Sequence, residues 1–328
     1  MIQFNKFFQI TRNARLAIVL CSSLLVSCGD LTTAGIGGTG ITSGEITGFG
    51  SIFVNGVEFN TDNSQFEVDG TVFGSQSEAI QAGLAVGMVA RIEGITDASG
   101  VTGTATLVVY DDEIEGPVAN LTALPNGQKS FEIFNQTVII DEFSTFYEDT
   151  TFIGLALNDI VEVSGFPAPN NEIFATFVEK KGILVPGISE VELTGTISNY
   201  NPDVNSFNLG SVIIDFGIAT IEVPGGILYN GLEVEVEGIY QIGGSILADE
   251  IEEEDDEFET ELEHISLQGI ISDFSNVTGL LFTVDGQPVD ASIAELSPPG
   301  LVLSNGLNIE VKGSITGGVL FADKVKLR

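Results

Sequence analysis

Between Glu252 and Glu263, nine of twelve residues are carboxylates, the densest set of potential ligands in this 328-residue chain. Carboxylate oxygens are hard ligands, and Ca²⁺ takes about six to eight of them. Glu252, Glu253, Glu254, Asp255, Asp256 and Glu257 are therefore candidate ligands for a weakly held Ca²⁺. The run lacks the interspersed Gly and Asn that shape known calcium loops, so any such site is weak. Blocks of like charge repel and stay extended, which makes a solvated linker the first reading. His264 is the one histidine, so no His-based metal cluster exists and any triad would have to use it. Neither a Gly-x-Ser-x-Gly elbow nor a Walker pattern occurs. A carboxylate-pair hydrolase needs one carboxyl raised in pKa by an apolar pocket. Proximity among 47 acids says nothing about that. The residues point to a protein that is not an enzyme, with no cofactor beyond weak Ca²⁺; the hydrolase is the least favoured reading.

At the N-terminus, Lys6, Arg12 and Arg15 precede an apolar run from Leu16 to Val26. That order is the pattern of a secretory signal, here residues 1–27, and the run is too short for the roughly 20 residues of a membrane span. Leu25-Val26-Ser27-Cys28 resembles the bacterial lipobox. The resemblance implies cleavage before Cys28, lipidation of its thiol and acylation of the new amino group. The expected location is the bacterial cell envelope, with the membrane as a partner through the lipid anchor. Asp30 stands one place too late for inner-membrane retention, so the outer membrane is the expected side. Cys21 leaves with the signal, and no thiol then remains for disulfides or metal. Residues 28–43 are rich in Gly and Thr and read as a flexible tether. The Gly35-x-Gly37-x-x-Gly40 match inside them lacks the strand and helix of a dinucleotide site.

Removing residues 1–27 removes three cations from a net charge of −36, leaving −39. Such a surface repels phosphate backbones, so nucleic acid is excluded as a partner. It also suits a saline habitat, because high net charge keeps proteins soluble.

The elements that would carry these residues repeat four times. Each copy opens with Gly and an aliphatic residue two places on: Gly44-Ile46, Gly116-Val118, Gly195-Ile197 and Gly269-Ile271. Each nears its end with an apolar strand closed by Gly94, Gly165, Gly238 or Gly313. A final Ala-x-x-(Val/Ile) follows: Ala105/Val108, Ala175/Val178, Ala248/Ile251 and Ala322/Val325. Asn55-Gly56, Asn135-Gln136, Gly210-Ser211 and Asp285-Gly286 fall at one point of the pattern between alternating runs, the signal of tight hairpins. Ser77 to Gly83 predicts a short helix with Ser77 as N-cap, and Ala291 to Leu296 is its counterpart. The order is three strands, a short helix or loop, then two strands. That predicts an all-β chain of four tandem, five-stranded OB-like barrels, with β-sandwich repeats as the alternative. A unit of this size has little core to spare, and closure hides its edges.

The pattern, clearest in Gly44-Glu45-Ile46-Thr47-Gly48-Phe49-Gly50-Ser51-Ile52-Phe53-Val54-Asn55-Gly56, resembles a family of bacterial envelope repeats, domain of unknown function 5666. The resemblance implies secretion or lipid anchoring and no assigned catalytic role. The expected organisation is signal 1–27, lipidated Cys28 and tether 28–43, and repeats at 44–111, 112–181, 191–251 and 264–328. Linkers at 182–190 and 252–263 would make them beads on a semi-flexible string. The function expected is a non-catalytic binding or scaffold module for glycan or protein. A calcium-responsive structural protein is the alternative.

Overall fold

The computed structural model describes residues 40–254, 258, 261–277 and 279–328. The signal, Cys28, the tether up to residue 39, and the candidate ligands Asp255, Asp256 and Glu257 lie outside the described residues. Most of the rest is strand, with one short α-helix, and no helix among the described residues is long and apolar enough to cross a membrane.

In barrel 1, β1 (Gly40–Gly48), β2 (Ile52–Val54) and β3 (Val57–Asn60) form an antiparallel meander. Then come β4 (Gln65–Val68), β5 (Thr71–Phe73), helix α1 (Gln76–Gln81), β6 (Val89–Thr96) and β7 (Thr102–Tyr110). β3 pairs in parallel with β7, β7 pairs with β6, and β6 returns to β1. The sheet therefore closes on itself in the OB manner. Buried and open residues alternate along these strands because side chains point to opposite faces with period two, as in Val57, Glu58, Phe59 and Asn60.

Barrel 2 comprises β8 (Ile114–Pro117), β9 (Ala119–Ala123), β10 (Gln128–Ile133), β11 (Gln136–Asp141), β12 (Phe146–Glu148), β13 (Asp159–Ala168) and β14 (Glu172–Ile183). Barrel 3 comprises β15 (Glu190–Asn201), β16 (Ser206–Leu209), β17 (Val212–Asp215), β18 (Thr220–Glu222), β19 (Glu233–Tyr240) and β20 (Ile246–Glu253). Barrel 4 comprises β21 (Glu261–Ser275), β22 (Leu281–Val284), β23 (Gln287–Asp290), β24 (Glu295–Ser297), β25 (Asn308–Thr316) and β26 (Val319–Leu327). Each repeats the closed path, with β11, β17 and β23 parallel to the last strand of their barrels as β3 is to β7.

The sequence signatures meet across each barrel's last two strands. Gly94 faces Ala105, Gly165 faces Ala175, Gly238 faces Ala248, and Gly313 faces Ala322, each at a register shift. A Cβ on any of these glycines would drive into the carbonyl of Thr104, Phe174, Leu247 or Phe321. Glycine lets the two backbones approach at a bulge.

Three local expectations are corrected. The second hairpin turns at Phe134-Asn135, both at positive φ, one residue earlier than Asn135-Gln136. The helix N-cap is Ser75, whose Oγ accepts from the Glu78 N–H, instead of Ser77. Barrel 4 has no helix at Ala291 to Leu296; β24 pairs in parallel with β26 there, as β12 and β18 do with their last strands.

Domain organisation differs more. β1 starts at Gly40, so residues 40–43, placed with the tether, are a strand pairing in parallel with β21 of barrel 4. β8 of barrel 2 pairs with β15 of barrel 3. Sheets thus join barrel 1 to 4 and barrel 2 to 3, and the string of independent beads is replaced by one body. The linker 182–190 shrinks as β14 runs to Ile183 and β15 begins at Glu190, and the acidic linker 252–263 loses its ends to β20 and β21. Two unpaired edges packed together satisfy their own backbone groups, which is why the strands extend. Asn55, predicted for its turn, also reaches across: its Nδ2 donates to the Ser43 carbonyl at 2.8 Å and to Ser266 Oγ of barrel 4 at 3.2 Å.

Candidate cation site between the barrels

Fusing barrels 2 and 3 brings six glutamates into one row. Glu179 faces Glu162, Glu162 faces Glu115, Glu115 faces Glu192, Glu192 faces Glu237, and Glu237 faces Glu250. These pairs run across six adjacent strands, β14, β13, β8, β15, β19 and β20. Like charges directly opposite one another in a sheet are destabilising. One cation meets the row at its barrel 2 end: Lys181 Nζ lies 2.7 Å from Glu162 Oε2 and 3.3 Å from Glu179 Oε2.

Barrel 1 closes over the row. Buried Tyr110, at the end of β7, donates a 2.7 Å hydrogen bond to Glu162 Oε1, and the chain turns at once through Asp111, Asp112 and Glu113 into barrel 2. The carboxylate oxygens of Asp112, Glu115 and Glu162 converge to within 4.8 Å of one another. Asp112 is half-buried as a residue, yet its Oδ1 is sealed and has no hydrogen-bond partner. Burial, then the charges of Glu192 and Glu162, push the Asp112 carboxyl well above the usual carboxylate range. Burial raises Glu115 to about 7, with Lys181 opposing and Glu162 reinforcing. Glu235, on β19, is raised to about 7 by burial and then by Asp111. Glu192 is pushed well up by burial and then by Glu235. The Lys181 ammonium is held well above its ordinary value: burial works against it, but the Glu162 hydrogen bond and surrounding carboxylates more than offset that.

The predicted ligands fall elsewhere. Glu252 and Glu253 end β20, Glu254 follows, and of these described ligands Glu252 alone joins a carboxylate group, with Glu222 and Glu250 of barrel 3. His264 lies on β21 beside Gly40 and joins none of the convergent carboxylate groups among the described residues. Tyr200, Tyr229 and Tyr240, three of the five tyrosines and all in the third repeat, have separate uses. Tyr200 stacks on Phe216 at 5.8 Å, Tyr240 stacks on Phe134 of barrel 2 at 6.2 Å, and Tyr229 is exposed. Sequence reading missed the row at Glu115, Glu162 and Glu192, whose signal was weak. Alternation in Glu190-Val-Glu-Leu and Glu233-Val-Glu-Val-Glu marks a polar face, without saying which strands stand beside it.

The family described as Domain of unknown function (DUF5666) matches residues 40–108, 115–179 and 194–252, more than half of the chain and each within one barrel. The chain belongs to this family. Barrel 4, outside the matched spans, shares the strand path of the other three. No curated protein matches the chain. Among solved structures it is similar to one titled "drosophila Unr CSD456", at 14% identity and a TM-score of 0.17, covering 66% of this chain and 98% of that one. The barrel assignment rests on the strand pairings.

Proposed function

We propose that this protein is a lipid-anchored, non-catalytic scaffold of the bacterial envelope that presents its four fused barrels to a protein partner. The observation carrying this reading is a repeated exposure of apolar side chains. Between β11 and β13 of barrel 2, Phe143 and Ile153 stand 90% and 81% exposed, and between β23 and β25 of barrel 4, Ile293 and Val302 stand 90% and 79% exposed. Ile218 and Ile227 do the same in barrel 3, and Val72 in barrel 1. Apolar side chains left open at the same point of each repeat offer a surface that a partner can cover. A protein suits them better than a glycan. Sugars stack on aromatic faces, whereas Trp is absent and, of these exposed side chains, Phe143 alone is aromatic. The charge of the chain argues against nucleic acid.

Cross-linking in intact cells followed by purification of the chain tests this. A partner captured by the native protein and lost with Phe143→Ser and Ile153→Ser supports it. Protein and glycan arrays that show no micromolar binder would remove it. Labelling with a fatty-acid analogue checks the anchor, with the label lost in Cys28→Ser.

A further inference from the structure

We infer that Asp112, Glu115 and Glu162 form a site for one hard divalent cation of Ca²⁺ type, which locks barrel 1 onto the fused pair of barrels 2 and 3. The inference goes beyond the scaffold reading and stands whether or not a protein partner exists.

Geometry comes first. Oxygens within 4.8 Å of one another can share one ion, because two Ca–O bonds of about 2.4 Å span that distance. The ligand set holds oxygen only, which selects Ca²⁺-like ions over the transition metals that prefer imidazole or thiolate. The three residues come from the inter-barrel turn, β8 and β13, so an ion there ties one barrel's exit to another's wall.

The second observation is the stranded oxygen. Asp112 Oδ1 is sealed from solvent without a donor, although Tyr110 and Lys181 supply donors to Glu162 nearby. A buried carboxylate oxygen without a partner is costly. A cation satisfies it where the protein supplies nothing. Charge agrees in direction: Lys181, the ammonium within reach of Glu162, is shared with Glu179, so the carboxylates gathered here outnumber it. A cavity of about 230 Å³, lined in part by Arg91, Asp111, Asp112, Thr194, Glu235 and Asp285, opens beside Asp112 at the meeting of barrels 1, 3 and 4. The groups Glu192/Glu235/Glu237 and Glu222/Glu250/Glu252 also converge, but neither contains a sealed oxygen without a partner among the described residues.

Terbium luminescence excited through tyrosine provides the test, because Tyr110 is hydrogen-bonded to a proposed ligand. Tb³⁺ added to the purified full chain should give sensitised emission that Ca²⁺ displaces. Tyr110→Phe should remove most of that emission, and Asp112→Asn should weaken Ca²⁺ affinity at least about ten-fold, as loss of a ligand charge does. The triple variant Asp255→Asn, Asp256→Asn and Glu257→Gln isolates the acidic run and should bind as the native chain does. Three results overturn the site: emission unchanged by Tyr110→Phe, Ca²⁺ affinity within about two-fold of native in Asp112→Asn, or binding that vanishes in the triple variant. Should Asp112→Asn fail to fold, the Tyr110→Phe and triple-variant arms still decide.

Discussion

Tyr110 and Glu162 lie 52 positions apart, yet the tyrosine hydroxyl donates a 2.7 Å hydrogen bond to Glu162 Oε1, and both side chains are buried. The bond joins the last strand of barrel 1 to a barrel 2 strand that also carries the acid row. It is a neutral donor to a carboxylate that Lys181 holds from the other side. The inter-barrel junction is therefore polar at its centre.

Tyr110→Phe keeps the ring and deletes the donor, leaving one oxygen of a buried carboxylate short of a partner. Hydrogen bonds to charged groups contribute about 1.5–3 kcal/mol, so denaturant unfolding should show a loss of that size. A loss below about 0.5 kcal/mol would mean that water replaces the hydroxyl freely.

Stability in chelator should fall as pH rises from about 4.5 to 7. Glu115 and Glu235 have native pKa values of about 7 against 4.5 for the ordinary carboxyl. The native state thus binds more protons than the unfolded chain between those limits, and the advantage is lost as pH climbs through the higher value. Calorimetry in EDTA should record a decline in Tm of at least about 3 °C across that window. A rising Tm there contradicts the assignment.

At the glycine bulges, a side chain meets backbone, which cannot rotate away. Gly313→Val in barrel 4 should cost about 3 kcal/mol or more, at the severe end of overpacking. Gly182→Ala, where a Cβ meets nothing nearby, is the control and should stay within about 0.5 kcal/mol. Parallel thermal melts of the two variants separate the cases.

Asn55→Asp retains a residue that tolerates the left-handed turn but replaces a donor with an acceptor. The acid would then face the Ser43 carbonyl and Ser266, which Asn55 Nδ2 now serves. The expected destabilisation is about 2 kcal/mol or more. Hydrogen exchange should show it as loosened protection along Ile41, Thr42 and Ser43, where β1 meets β21. Unchanged protection there would place the role of Asn55 in its turn alone.

Much of each barrel was legible in the residues. Asn55-Gly56 and Asp285-Gly286 turn where their types demand positive φ, and alternating Val, Ile and Phe point inward because strand side chains alternate. The closing glycines and the following alanines were visible as a signature, though not as partners across a bulge. The site was not legible. Glu115, Glu162 and Glu192 come from three strands in two repeats, and nothing local says that β8 lies between β13 and β15. The densest acidic run drew attention to Glu252–Glu257, because charge density along a chain is easy to read and density in space is not.

By itself, then, the sequence determined the repeated unit, its hairpins, its closed sheet and its strong negative charge. These depend on side-chain period, turn conformation and composition, all of which act over a few residues. Only the tertiary structure decided that barrel 1 joins barrel 4 and barrel 2 joins barrel 3, and that the carboxylates of Asp112, Glu115 and Glu162 converge. Edge strands pair with whichever complementary edge the folded bodies bring near. That choice is settled by packing between distant segments, so the place where charges gather is settled there too.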